Sequence, residues 1–166
     1  MTGTFDVSCV EDTWALAKSF AAELKPGDVV CLEGDLGAGK TTFTQGLAAA
    51  LGMAGRVTSP TFCLVQEHRC ASARKGLPSL LVHMDLYRLR GEDDVLAIGW
   101  EDYLTEGAVL VVEWPERAGS LIPETARHVR ITHMGENFRR IDMGATRFLC
   151  NTNEVGGRFM PHNQPV

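Results

Sequence analysis

The chain has 166 residues, is 45% apolar and 22% charged, and carries a formal charge of −5. That length fits one globular domain with enough apolar substance for a core. The acidic balance argues against independent nucleic-acid binding, which needs a basic face. No apolar run nears the roughly 18 residues of a membrane helix, and the first residues lack the basic-then-apolar pattern of a secretory signal.

The cysteines Cys9, Cys31, Cys63, Cys70 and Cys150 are odd in number, scattered and free of any C-x-x-C pair. They suit buried or idle thiols in a reducing compartment, not a disulfide framework or a zinc site. The five histidines show no H-E-x-x-H spacing either. The expectation is a cytoplasmic domain over 1–150, followed by a flexible, Asn/Gly/Pro-rich tail over 151–166.

In chain order, Thr4-Phe5-Asp6-Val7-Ser8 alternates as a half-exposed edge strand does. Ser8-x-x-Glu11 offers a capping box for a helix whose apolar face carries Trp14, Ala17, Phe20, Ala21 and Leu24, which places Trp14 in the core. Pro26-Gly27-Asp28 ends that helix. Three runs, Val29–Leu32, Leu80–Val82 and Val109–Val112, are apolar on both faces, as parallel strands covered on both sides are. Helices are expected at about 40–51 and 92–106. Val129 and Ile131, a turn at Met134–Asn137 and a strand around Ile141 read as an antiparallel hairpin at one sheet edge.

Gly34-Asp35-Leu36-Gly37-Ala38-Gly39-Lys40-Thr41 matches G-x-x-x-x-G-K-[ST]. An apolar strand feeds it, and Phe43, Leu47 and Leu51 behind it mark a helix. Glycines let successive backbone N–H groups converge on one anion, and the helix N-terminus adds free donors and its positive dipole end. Asp35 to Thr42 therefore form the expected nucleotide cradle. Lys40 reaches the terminal phosphates, and the Thr41 hydroxyl coordinates Mg²⁺.

Hydrolysis also needs a carboxylate for the hydrated metal and a group that orients water. In such folds ligands gather at the carboxyl ends of parallel strands. Two apolar runs end there in acids, Asp85 and Glu113. Asp85 is assigned to the metal, and Glu113 to water activation or a further metal contact, with the reverse division left open. Thr61, in Thr58-Ser59-Pro60-Thr61-Phe62, is either a switch that senses the terminal phosphate or part of a plain turn before a strand.

Taken together, the phosphate loop through Thr42, Ser59-Pro-Thr-Phe62, His83-x-Asp-x-Tyr-Arg88 and Glu113-Trp-Pro115 resemble the TsaE (YjeE) family over about residues 5–145. The resemblance implies a P-loop α/β/α sandwich, with a central parallel sheet and antiparallel edge strands. It also implies weak MgATP hydrolysis in tRNA threonylcarbamoyladenosine biosynthesis, alongside TsaB and TsaD, with tRNA met only through that complex and no membrane. It points to Lys40 and Thr41 at phosphate and metal, Asp85 as a Walker-B-like acid, Glu113 near the reacting phosphate and Thr61 as the switch. The family's aromatic after Pro-Thr is Tyr or Phe, here Phe62. Residues 69–79 depart from the pattern as an enlarged loop.

Arg88 is either a cation for the transition state or a surface ion-pair residue. His83 either orients Asp85 or is a hydrogen-bonded core histidine. Trp114 either stacks near the nucleotide or lines a partner surface. The alternative functions are a small-molecule P-loop kinase and a nucleotide-sensing regulator. The kinase lacks support from any Arg-rich lid, and a guanine-selecting N-K-x-D loop is absent, which favours adenine.

Overall fold

The computed structural model describes residues 1–71 and 76–144. Strand β1 (Gly3–Val7) leads into helix α1 (Val10–Ala21), then β2 (Val29–Glu33), α2 (Lys40–Leu51), β3 (Val65–Arg69) and β4 (Leu80–Asp85). Short helices α3 (Glu92–Ala97) and α4 (Trp100–Glu106) precede β5 (Val109–Glu113), and β6 (Arg127–His133) and β7 (Arg139–Gly144) close the described chain. The seven strands form one sheet in the order β1-β7-β6-β2-β5-β4-β3.

The three runs read as doubly buried strands are the parallel set β2, β5 and β4, as expected. β6 joins them, parallel to β2. Antiparallel strands flank this core, with β3 on β4 at one side and β7 then β1 on the other. The β6–β7 hairpin forms, but it is not the sheet edge. β1 covers β7 and takes the edge position, because pairing Phe5 with Ile141 and Val7 with Arg139 buries Val7 under α1.

Helices α1 and α2 pack on one face, where the Phe20 and Phe43 rings meet edge-on at 5.9 Å. On the other face Trp100 of α4 packs in one core with Met84, Leu110 and Val112 of the sheet and Val95 of α3. This is the three-layer sandwich. The helix expected over 92–106 is split in two at Ile98–Gly99.

Two local expectations are corrected. The α1 cap lies one residue beyond Ser8: Cys9 is the N-cap and its Sγ accepts the Asp12 N–H at 3.4 Å. The Asp12 carboxylate in turn accepts from the Ser8 N–H at 2.9 Å and its hydroxyl at 3.0 Å. These bonds, the Ser8 N–H foremost, hold the Asp12 carboxyl below its usual range. The shift follows from β1 pairing as far as Val7, which keeps Ser8 extended and leaves Cys9 to start the turn.

Trp14 is 46% exposed instead of core. A Cβ on Gly46 of α2 would lie 2.7 Å from the Ala17 Cβ and 3.1 Å from the Trp14 Cα. The helices approach too closely there to hold an indole between them, so the ring lies outside, beside Gly46.

The loop from 69 to 79 is closed at its base by the Cys70 N–H to the Ser79 carbonyl, 2.9 Å. Its residues 72–75, and the tail expected over 151–166, lie outside the described residues.

Gly46→Ala should cost about 1–3 kcal/mol, the usual range for overpacking a tight contact. Urea denaturation measures it, and a stability equal to wild type would mean the α1–α2 contact yields easily.

Candidate nucleotide site

The phosphate loop starts where β2 leaves the sheet. Gly34 has φ 145°, and a Cβ there would sit 2.4 Å from the Ile131 carbonyl oxygen of β6. Only glycine lets the chain pass this close to the neighbouring strand. The Ala38 N–H donates to the Asp35 carbonyl at 3.1 Å, tightening the loop, and Gly39, at φ 114°, turns it into α2. Ala38 is buried beneath the loop while Leu36 stands out at its tip.

Lys40 opens α2 and is buried. Its Nζ donates to the carbonyls of Gly34, at 2.7 Å, and Asp35, at 3.1 Å, and lies 3.5 Å from Glu113 Oε2. The ammonium thus sits between the loop and the end of β5. Thr41 and Thr42 follow on the helix's first turn and face the same cleft.

The two acids are neighbours by register. Asp85, last in β4, pairs with Glu113, last in β5. Alternation puts both on the α2 face, in line with Leu81 and with Val109 and Val111. Asp85 Oδ1 accepts the Tyr87 N–H at 3.0 Å, so the acid also shapes the turn after its strand. His83, two residues before Asp85 and fully buried, does not bond to Asp85. Its Nε2 lies 2.8 Å from Glu113 Oε1.

Thr61 reaches the cleft because its segment is pinned to β4. The Cys63 and Leu64 N–H groups both donate to the Pro60 carbonyl, and the Leu64 carbonyl accepts the Asp85 N–H at 2.9 Å. The segment is a turn before a strand, and it carries the Thr61 hydroxyl to the cleft. That hydroxyl lies 2.7 Å from the Ser59 Oγ.

The resulting cleft, about 590 Å³, takes in Asp35 to Thr42 apart from Ala38, together with Thr61, Asp85 and Glu113. Ser59, Tyr87 and Trp114 complete its lining, with the Tyr87 and Trp114 rings 4.8 Å apart. Arg88 is not among the lining residues. Its guanidinium lies over the Phe62 ring at 5.7 Å.

A second hollow of about 240 Å³ lies where the loop meets the start of α1, lined by Gly37, Gly39, Thr42, Ser8, Cys9 and Arg139 among others. No sequence motif announced it, because β1–β7 pairing brings its walls together.

The cleft's side-chain metal donors are all oxygens, among them the Thr41 hydroxyl and the carboxylates of Asp85 and Glu113. Among the described residues no group of three His, Cys, Asp or Glu forms a metal cage. An oxygen set without His or Cys fits Mg²⁺, which takes oxygen ligands and keeps waters, and does not fit zinc.

The family model described as "Threonylcarbamoyl adenosine biosynthesis protein TsaE" matches residues 7–141. The chain belongs to the TsaE family. Its members are involved in tRNA threonylcarbamoyladenosine biosynthesis, a tRNA-modification machinery that implies partnership with other Tsa proteins. The chain is 42% identical to the TsaE of Bacillus subtilis, covering 81% of this chain and 80% of that one. It is 38% identical to the TsaE of Mycobacterium bovis, covering 84% of each. The crystal structure of Bacillus subtilis YdiB is similar, with a TM-score of 0.67, 34% identity, and coverage of 88% and 87%. No helix among the described residues is long and apolar enough to cross a membrane.

Entry to the loop is braced by Glu33, whose carboxylate meets His128 Nδ1 at 3.3 Å and Arg130 at 2.9 Å. Burial pushes this carboxyl up, but the hydrogen bonds from His128 and Arg130 outweigh it and hold it below its ordinary 4.5. The stabilisation is therefore complete above pH 4.5 and fades as pH falls through the lowered value. Glu33→Gln should lose roughly 1–3 kcal/mol at pH 7, the range for charge-assisted bonds. In denaturant titrations the deficit should shrink below pH 4.5; a deficit independent of pH would contradict the ionic brace.

Proposed function

We propose that this chain is a Mg²⁺-dependent ATPase that supports tRNA threonylcarbamoyladenosine modification, in the cytoplasm, together with TsaB and TsaD. Family membership supports the pathway. The observation that carries the chemistry is the convergence of Lys40, Thr41, Thr61, Asp85 and Glu113 on one cleft at the carboxyl ends of β2, β4 and β5.

Backbone N–H groups of the loop hold the polyphosphate, and Lys40 neutralises its terminal end. Mg²⁺, when bound, draws charge from the phosphate oxygens; Thr41 and Asp85 are the residues that hold it. Glu113 is fixed by His83 on one oxygen and faces Lys40 with the other. A carboxylate so fixed can accept a proton from, and orient, an attacking water. Thr61 senses the terminal phosphate from the segment tied to β4. Transfer of the threonylcarbamoyl group lies with the partners. The chain's charge of −5 leaves it little with which to grip tRNA alone, so tRNA is met through the complex.

Lys40→Ala should weaken MgATP binding about tenfold to a hundredfold, because charge-assisted bonds to phosphate are lost. Unchanged affinity by calorimetry would remove the site. Glu113→Ala should leave affinity within about threefold yet slow hydrolysis at least a hundredfold, as loss of a general base does; equal losses of both would make Glu113 mainly a metal ligand. Phosphate release should rise when TsaB and TsaD are added. No rise at any ionic strength would count against the assigned partnership.

A further inference from the structure

We propose that His83 is a positioning residue that sets the orientation of the Glu113 carboxylate for attack on the terminal phosphate. The inference rests on the ATPase reading for the task of Glu113, but its geometry stands independently.

His83 is fully buried inside the strand face that carries the two acids. Its Nε2 is 2.8 Å from Glu113 Oε1, while Glu113 Oε2 lies 3.5 Å from the Lys40 ammonium. Each carboxylate oxygen therefore has a different partner, and the plane of the group is defined by both. An ionised carboxylate only accepts, so the imidazole proton must be on Nε2. The other ring nitrogen, Nδ1, is buried with no hydrogen-bond partner among the described residues. Gln66, directly across the β3–β4 ladder from His83, does not relieve it. Its Oε1 is also a buried acceptor without a partner, and two acceptors cannot bond to each other.

A histidine kept only to fill the core would be outdone by an apolar residue, since a buried ring nitrogen without a partner costs free energy. What the imidazole supplies and a leucine cannot is one directed donor to Glu113. The metal-facing acid is not its target, although Asp85 is nearer in sequence. Asp85 Oδ1 is already engaged by the Tyr87 N–H.

Two variants separate positioning from packing. His83→Leu fills the space without a donor, and His83→Gln places an amide N–H near the position of Nε2. With TsaB and TsaD present, His83→Leu should lower kcat at least tenfold while MgATP affinity and KM stay within threefold. His83→Gln should recover most of that loss. A kcat within threefold of wild type for His83→Leu would overturn the proposal, as would a loss in His83→Gln equal to that in His83→Leu. Imidazole ¹⁵N shifts of the wild-type chain provide a readout without turnover. A proton on Nε2 is expected, and a proton on Nδ1 alone would overturn the bond to Glu113. A chain that keeps the Nε2 proton but binds no ATP defeats the ATPase reading alone. One that hydrolyses ATP with the proton on Nδ1 defeats only this inference.

Discussion

A buried ammonium facing a buried carboxylate is the constraint around which this molecule is arranged. Lys40 and Glu113 each expose a tenth or less of their side chains, with 3.5 Å between charged atoms. Removing both charges from water is expensive, and their mutual attraction recovers that cost only if the remaining polar valences are also met. They are met here by the carbonyls of Gly34 and Asp35 on the lysine and by His83 on the glutamate. A packed apolar pair would serve stability at least as well. The retained charges therefore argue for a role beyond packing, in keeping with the proposed nucleotide site.

The pair exists because of sheet register. Glu113 and Asp85 end adjacent parallel strands at the same level, and His83 and Asp85 share a face through the two-residue period of β4. A slip of one residue between β4 and β5 would send either acid to the α3–α4 side, away from Lys40. That register is secured by the doubly buried strands themselves, since Leu81, Val109 and Val111 lie in one core and Val82, Leu110 and Val112 in the other. Packing on both faces thus fixes the position of charges at the strand ends. The same logic tethers Thr61, whose segment is held by a backbone bond between Leu64 and Asp85.

What was legible beforehand follows from the range of each interaction. The loop, α2 and the central strands rest on contiguous residues, so motif and apolar run suffice to find them. That Asp85 and Glu113 share one cleft follows from their places at the carboxyl ends of adjacent parallel strands. The misses needed information from distant chain. Ser8 looked like the cap until β7 claimed the residue before it. Trp14 fitted the apolar stripe of α1, but the small residues of α2 bring the helices too close for its ring. Of the two readings of His83, the hydrogen-bonded buried histidine holds, and its partner is Glu113, diagonal to it on the adjacent strand, not Asp85 on its own. Nothing short of the strand order could reveal the hollow between α1 and the loop.

The backbone on either side of the cleft departs from ordinary geometry at two non-glycine residues. Trp114, directly after Glu113, has φ 59°, and Leu64, whose carbonyl holds Asp85, has φ 66°. Left-handed conformations cost side-chain-bearing residues free energy and persist only where neighbours over-determine them. Trp114 is held by Pro115 behind it and by its ring against Tyr87, and Leu64 by its bond to the Pro60 carbonyl. Trp114 lies where β5, ending in Glu113, gives way to a loop, and Leu64 lies where the Thr61 segment enters β3 beside the end of β4. A relaxed turn at either point would lengthen the connection and carry the aromatic rim or Thr61 away from Lys40. The strain is thus the local consequence of packing two acids, a hydroxyl and an aromatic pair around one cation.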